Sequence, residues 1–234
     1  ASLRITLVLD ALSFFLAFGL VALLPKKEGK TLGEKKLTFK VIFSDIKEGV
    51  HYIVKQKEIF FLLVMASSVN FFFAAFNYLL PFSNQLYGVQ GSYATILTMG
   101  AIGSIVGALL ANKIKASMEM LLLLLALTGL GVMIMGFTLP SYLAFSGNFI
   151  CELFMTMFNI HFFTQVQTKV DGEYLGRVLS SIYTLAILFM PIATGLMTLL
   201  PSVHLYSFLI IGLGVVALSL LALGYVRTHF KKEI

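Results

Sequence analysis

Hydrophobic positions in this chain do not alternate with polar ones; they run together. Seven stretches, at roughly 5–25, 59–81, 92–112, 118–139, 142–167, 178–200 and 204–226, stay apolar over a span's length. Crossing a hydrocarbon core of about 30 Å takes about 20 helical residues. Turn chemistry separates the stretches: Pro25, Pro81 followed by Ser83 and Asn84, Gly91-Ser92, Pro140-Ser141, Asp171-Gly172 and Pro201-Ser202. A membrane barrel would need alternating segments of about ten residues, and the sequence has none. The pattern predicts an all-α polytopic membrane protein with seven transmembrane helices.

One substantial segment, 26–58, does not span. Its first part, "KKEGKTLGEKK", is polar. Its second, "TFKVIFSDIKEGVHYIVKQK", sets Phe39, Ile42, Phe43, Ile46, Val50 and Ile53 at helical spacing. That stripe suits an amphipathic helix at the membrane surface, or one packed under the bundle, since both bury the same side. The chain is thus expected to divide into a single span at 1–25, a basic linker at 26–58, and six spans with short connections at 59–234. The six separate into 59–139 and 142–226. Three spans reverse the direction of the chain, so two such units are related by inverted topology.

Charge adds an orientation. The chain is 59% hydrophobic and 12% charged, with 17 Lys and Arg against 11 Asp and Glu. With the carboxy-terminus in the cytoplasm, 26–58, 113–117, 168–177 and 227–234 are inside and hold nine, two, two and three of those cations. The outer connections hold none, and Arg4 alone lies at the outer end of the first span. This asymmetry is the positive-inside pattern. The basic excess therefore reads as topology and lipid contact, with no nucleic-acid partner. Cys151, the one cysteine, lies in an apolar stretch, which leaves no disulfide framework. The chain begins with Ala, and its first apolar stretch has neither a basic leader nor a small-residue cleavage site. No signal peptide is expected, and the chain reads as part of a longer protein.

Ionisable groups inside spans are functional candidates by default, because a charge there is expensive. Glu152 lies near the middle of the fifth stretch; Asn148, Glu152, Thr156 and Asn159 fall on one helix face. That stripe suits proton coupling or substrate contact, or a hydrogen bond between helices. Asp10, nearer the end of the first span, is a second candidate. On the second span, Asn70 and Asn77 share a face among Phe71, Phe72, Phe73 and Phe76. Amides among aromatics suit a cavity for bulky apolar ligands, with Phe73 and Thr156 in its lining. Gly100, Gly103 and Gly107 form a small-residue ridge for close helix packing, and Pro191 should bend the sixth span. His51, His161, His204 and His229 are scattered, and neither a zinc motif nor a phosphate loop with its lysine occurs. No catalytic residue, metal or cofactor is expected.

Three segments carry a family resemblance: "DALSF" at 10–14, "DIKEGVHYI" at 45–53 and "LGRVLSSIY" at 175–183. In that order they resemble signatures of the major facilitator superfamily, in a bacterial branch that exports macrolides or siderophores. The resemblance implies the last helix of an absent amino-terminal half followed by the six-helix carboxy-terminal half, arranged as two inverted three-helix units. It also implies that Gly176 and Arg177 belong to the cytoplasmic gate. The function implied is secondary active export of bulky amphipathic compounds, macrolide-like drugs among them, in exchange for H+ across the bacterial cytoplasmic membrane. The missing half would be required, and the full-length protein should be a monomer. A narrow-substrate exporter of a siderophore or other metabolite is the alternative. A seven-helix receptor, which ligand-stimulated nucleotide exchange would reveal, and a membrane scaffold, which a copurifying nucleotide-hydrolysing partner would reveal, fit the residues less well.

Overall fold

The structure is a computed structural model that describes residues 3–23, 39–115, 117–137, 141–200 and 202–229. The lysine-rich start of the linker, 26–38, lies outside the described residues, as do the side chains of Phe39, Ile42 and Phe43. Every regular element among the described residues is helical. The chain divides into two compact units, 1–42 and 43–234. The first contains α1 (Leu3–Ala22), which from Leu7 to Ala22 is apolar but for Asp10 and Ser13.

The second unit is a helical bundle. It begins within α2 (Phe39–Lys55) and continues through α3 (Lys57–Leu79), α4 (Ser83–Tyr87), α5 (Ser92–Ala111) and α6 (Met118–Met135). It ends with α7 (Ser141–Lys169), α8 (Gly172–Ile187), α9 (Met190–Thr198) and α10 (Tyr206–His229). Six stretches in this unit are long and apolar enough to cross a membrane: 57–87, 92–111, 118–135, 142–169, 172–198 and 206–229. Together with α1 they account for the seven apolar runs of the sequence. α7, with 29 residues, is about 44 Å long at the helical rise. That is longer than a hydrocarbon core of about 30 Å.

Local chemistry places the helix ends. Ser117 caps α6 by accepting a hydrogen bond from the Met120 amide at 3.1 Å, with Glu119 in the first turn to oppose the helix dipole. Between α4 and α5, Gly88 and Gly91 take positive φ values of 65° and 84°, which side chains rarely tolerate. The chain turns there in a few residues. The sixth stretch is interrupted where the bend at Pro191 is expected: α8 stops at Ile187 and α9 restarts at Met190 with Pro191 in its first turn, while Leu188 and Phe189 between them keep helical φ and ψ. Proline has no amide hydrogen to continue the ladder.

Packing follows the small residues. α5 lies along α7, α7 along α6, α6 along α10, and α10 along α3, which also meets α8 and α9. Exchanging α3 with α7, α5 with the α8–α9 pair, and α6 with α10 maps these principal pairings onto themselves. This is the adjacency expected of two inverted three-helix units. At the α5–α7 contact, a Cβ on Gly103 would collide with the Phe149 carbonyl, and one on Gly107 with that of Leu153. On α10, a Cβ at Gly212 would fall 2.6 Å from the Gly129 carbonyl oxygen of α6. Backbones this close gain dispersion contacts and need no apolar driving force, which hydrocarbon does not supply.

An aromatic cluster fills one end of the bundle. Phe76 meets Phe208 edge-on at 5.8 Å, and Tyr87 packs between Phe208 at 6.4 Å and Phe145 at 5.3 Å. The Tyr87 hydroxyl donates to the Met135 carbonyl at 2.6 Å, joining α4 to the end of α6.

Candidate functional site

The α7 polar stripe does not form one uniform surface. Asn148 is buried, 3% exposed, and its Nδ2 donates to the Ile96 carbonyl of α5 at 2.8 Å. That carbonyl is reachable because Gly100, one turn on, lacks the Cβ that would occupy the amide's position. Asn148 Oδ1 has no hydrogen-bond partner among the described residues. One turn further, Glu152 is half-buried, and Ser104 Oγ donates to its Oε2 at 3.3 Å. Two parallel helices thus present Ile96, Gly100 and Ser104 opposite Asn148 and Glu152 in register. Thr156 is half-buried beyond them, and Asn159 is exposed.

The other candidates fall elsewhere. Asn70 is half-buried and Asn77 exposed on α3. Phe73 belongs to the core, 8% exposed and edge-on to Phe76 at 5.7 Å. α3 packs on α8, α9 and α10, whereas Glu152 sits between α5 and α7. Among the described residues no hydrogen bond joins the α3 amides to the α7 stripe. Asp10 lies on α1 in the first unit, where its carbonyl accepts from Ser13 Oγ at 2.7 Å.

The bundle's other end is basic, and it is tied together by ion pairs between segments far apart in sequence. Lys169 pairs with Glu58, Arg177 with Glu48 at 2.8 Å, and Arg227 with Glu119 at 3.2 Å. All are partly exposed, so each contributes only a few tenths of a kcal/mol to about 1 kcal/mol. The Arg177 pair belongs to a larger latch between α2 and the start of α8. Ser181 Oγ donates to the Ile46 carbonyl at 3.3 Å. Tyr52 Oη donates to Asp171 Oδ2 and accepts from the Asp171 amide, both at 3.3 Å. Tyr52 also stacks on Tyr174 at 5.1 Å, and the Arg177 guanidinium lies 6.0 Å from the Tyr174 ring centre. Gly49 lets the helices close, since a Cβ there would fall 2.6 Å from the Arg177 carbonyl oxygen. Ile46, Val50 and Ile53 face this contact side while Lys47, Glu48 and His51 stay exposed, so from residue 43 onward α2 packs under the bundle.

Sequence reasoning singled out Gly176 and Arg177 but not their partners. Glu48, Gly49 and Tyr52 lie inside the quoted "DIKEGVHYI", and Asp171 precedes "LGRVLSSIY" by a few residues. The pairing of those two segments was the available signal. Gly176 itself has open space around it, with nothing within 4 Å of an added Cβ.

Six membrane-length helices with the adjacency of two inverted units, a polar contact between two of them and a latched basic end define a polytopic α-helical membrane protein. The family model described as Major Facilitator Superfamily matches residues 1–186 of the 234, and the chain belongs to that family of membrane transporters. No curated protein and no solved structure matches the chain.

Proposed function

We propose that this chain is the carboxy-terminal six-helix half, with the last helix of the amino-terminal half, of a proton-driven exporter of bulky amphipathic compounds such as macrolide-like drugs. The observation that carries the reading is Glu152, half-buried midway along a membrane-length helix with Ser104 and the buried Asn148 beside it. A carboxylate at the centre of a span costs about 2.5–3.5 kcal/mol by insertion scales. Proton binding there removes the charge, so substrate and proton compete for the state of one group. Asn159 and Thr156 extend the stripe along α7, and Asn70 and Asn77 line the substrate cavity from α3. Asp10 serves as a second carboxyl. In this reading the basic end, the 26–58 linker and the carboxy-terminus face the bacterial cytoplasm, where sixteen of the 17 cations gather. The Arg177–Glu48 latch then holds the cytoplasmic gate closed.

The test is uptake of dyes and macrolides into inverted vesicles carrying the full-length protein, with and without a collapsed proton gradient. Uptake should disappear on collapse. Glu152→Gln should abolish gradient-driven uptake while substrate still binds. Unchanged gradient-dependent uptake in that variant rejects the coupling role, and no uptake across a broad compound panel rejects the drug-export class.

A further inference from the structure

α2 has a second side that the latch leaves open. Ser44, Lys47, His51 and Lys55 recur along it at helical spacing and are all exposed. They form one wall of a groove of about 580 Å3 whose other side is Tyr174, stacked on Tyr52. The charges of this end are unevenly satisfied. Lys169, Arg177 and Arg227 each face a carboxylate, whereas neither Lys47 nor Lys55 has an ion-pair partner among the described residues. Glu48, the one acid lining the groove, is committed to Arg177. The groove therefore presents two unpaired ammonium groups and an imidazole beside an aromatic wall, and its complement is an anion with an apolar attachment.

Its position says which anion. Lys55 ends α2 and, across the non-helical Gln56, stands four residues before Ile59, where the buried apolar run of α3 begins, so it lies at the edge of that span. The headgroup layer on each side of a bilayer is about 5–7 Å thick. A second groove of about 430 Å3 starts from the neighbouring Val54 and runs past Phe60, Phe61, Val64 and Tyr225, with Lys57 its one charged residue. We propose that the Lys47–Lys55 groove holds the phosphate headgroup of an anionic phospholipid, with the acyl chains lying along the apolar side of α3. The site is distinct from the polar stripe of α7. It rests on the chain spanning a membrane, not on the cargo or on proton coupling.

The chain contains no tryptophan, so Tyr174→Trp gives a single reporter in the groove wall that keeps the ring stack. The full chain carrying it is reconstituted into bilayers of phosphatidylcholine with increasing phosphatidylglycerol, either lipid brominated as quencher. Brominated phosphatidylglycerol should quench the indole of the Tyr174→Trp variant at mole fractions where brominated phosphatidylcholine does not. Each Lys near an anionic surface contributes about a factor of five, so Lys47→Gln with Lys55→Gln should weaken the preference about 30-fold. Lys113→Gln with Lys115→Gln, at the same end but outside the groove, should leave it unchanged. Equal quenching by the two lipids overturns the proposal, as does equal loss in both double variants. Relief of the quenching by millimolar glycerol phosphate would assign the groove to a soluble anion and likewise overturn the lipid site.

Discussion

Two glycines on the two sides of the latch should respond oppositely to the same substitution. In Gly49→Ala the new methyl would lie 2.6 Å from the Arg177 carbonyl oxygen and 3.0 Å from its carbon, and would collide with Ser181 Oγ. Ordinary contact needs about 3.4 Å or more. α2 must therefore back away from α8 by several tenths of an ångström, stretching the 2.8 Å Arg177–Glu48 pair and the 3.3 Å Ser181 bond. Overpacking of this kind costs about 1–3 kcal/mol, offset by about 1 kcal/mol because alanine is the better helix former. The net expectation is loosening by about 1 kcal/mol, or roughly a fivefold rise in opening of α2. In Gly176→Ala nothing stands within 4 Å of the added carbon, so the propensity gain remains alone and α8 should be steadier by up to about 1 kcal/mol. Hydrogen exchange measured by mass spectrometry reads both. Amides of 46–55 should exchange about fivefold faster in Gly49→Ala, and those of the first turns of α8 should slow in Gly176→Ala. Identical α2 exchange in Gly49→Ala and the unaltered protein would refute the close contact.

Three further outcomes follow from the packing. Tyr87→Phe removes the bond to the Met135 carbonyl but keeps the ring among Phe145 and Phe208, so stability should fall by about 1 kcal/mol. Because Cys151 is the only cysteine and fully buried, labelling by a thiol-reactive dye on heating reports unfolding of the bundle and checks this. Gly103→Val would press a branched side chain into the Phe149 backbone and should lower the same labelling midpoint far more than Ile105→Val, whose side chain is 63% exposed. A double-mutant cycle of Glu48→Gln and Arg177→Gln, read as α2 exchange, should return a coupling of about 0.2–1 kcal/mol that shrinks in high salt. A coupling above that range would show that the pair is less solvated than its exposure implies.

The spans, the α7 stripe and the small-residue ridge of α5 were readable in the sequence because each depends on residues close together in one helix. Asn148 and Glu152 fall at adjacent turns of a periodic pattern, and that pattern survives folding. What Asn148 bonds to was not readable. Its acceptor is a backbone carbonyl at Ile96, which every residue possesses, and the opening to it depends on Gly100 of another helix. The latch was half readable. Arg177 announced itself by its position at the mouth of a span, but Glu48 and Tyr52 looked like any polar residues of an amphipathic helix. Their meeting with α8 spans more than a hundred residues of chain. Phe73 sits with the amides in sequence, yet neighbouring helices cover it, because ring size alone says nothing about which side of a helix the core will take. Tyr87 drew no attention at all, since a tyrosine in a short connection is a common surface residue and only its contacts reveal its work.

The exchange symmetry of the bundle has a mechanical consequence. The α5–α7 pair and its counterpart, α3 with α8 and α9, occupy equivalent places, but they are built differently. The first is keyed backbone to backbone by Gly103 and Gly107, with Gly100 against the Asn148 side chain, along an unbroken helix of 29 residues. The second includes a helix whose hydrogen-bond ladder is interrupted between Ile187 and Met190, beside Pro191. Under a bending load the first behaves as a laminated beam and the second as a jointed one. Deformation of the six-helix unit should therefore concentrate near Pro191, with the side carrying Glu152 the stiffer of the two.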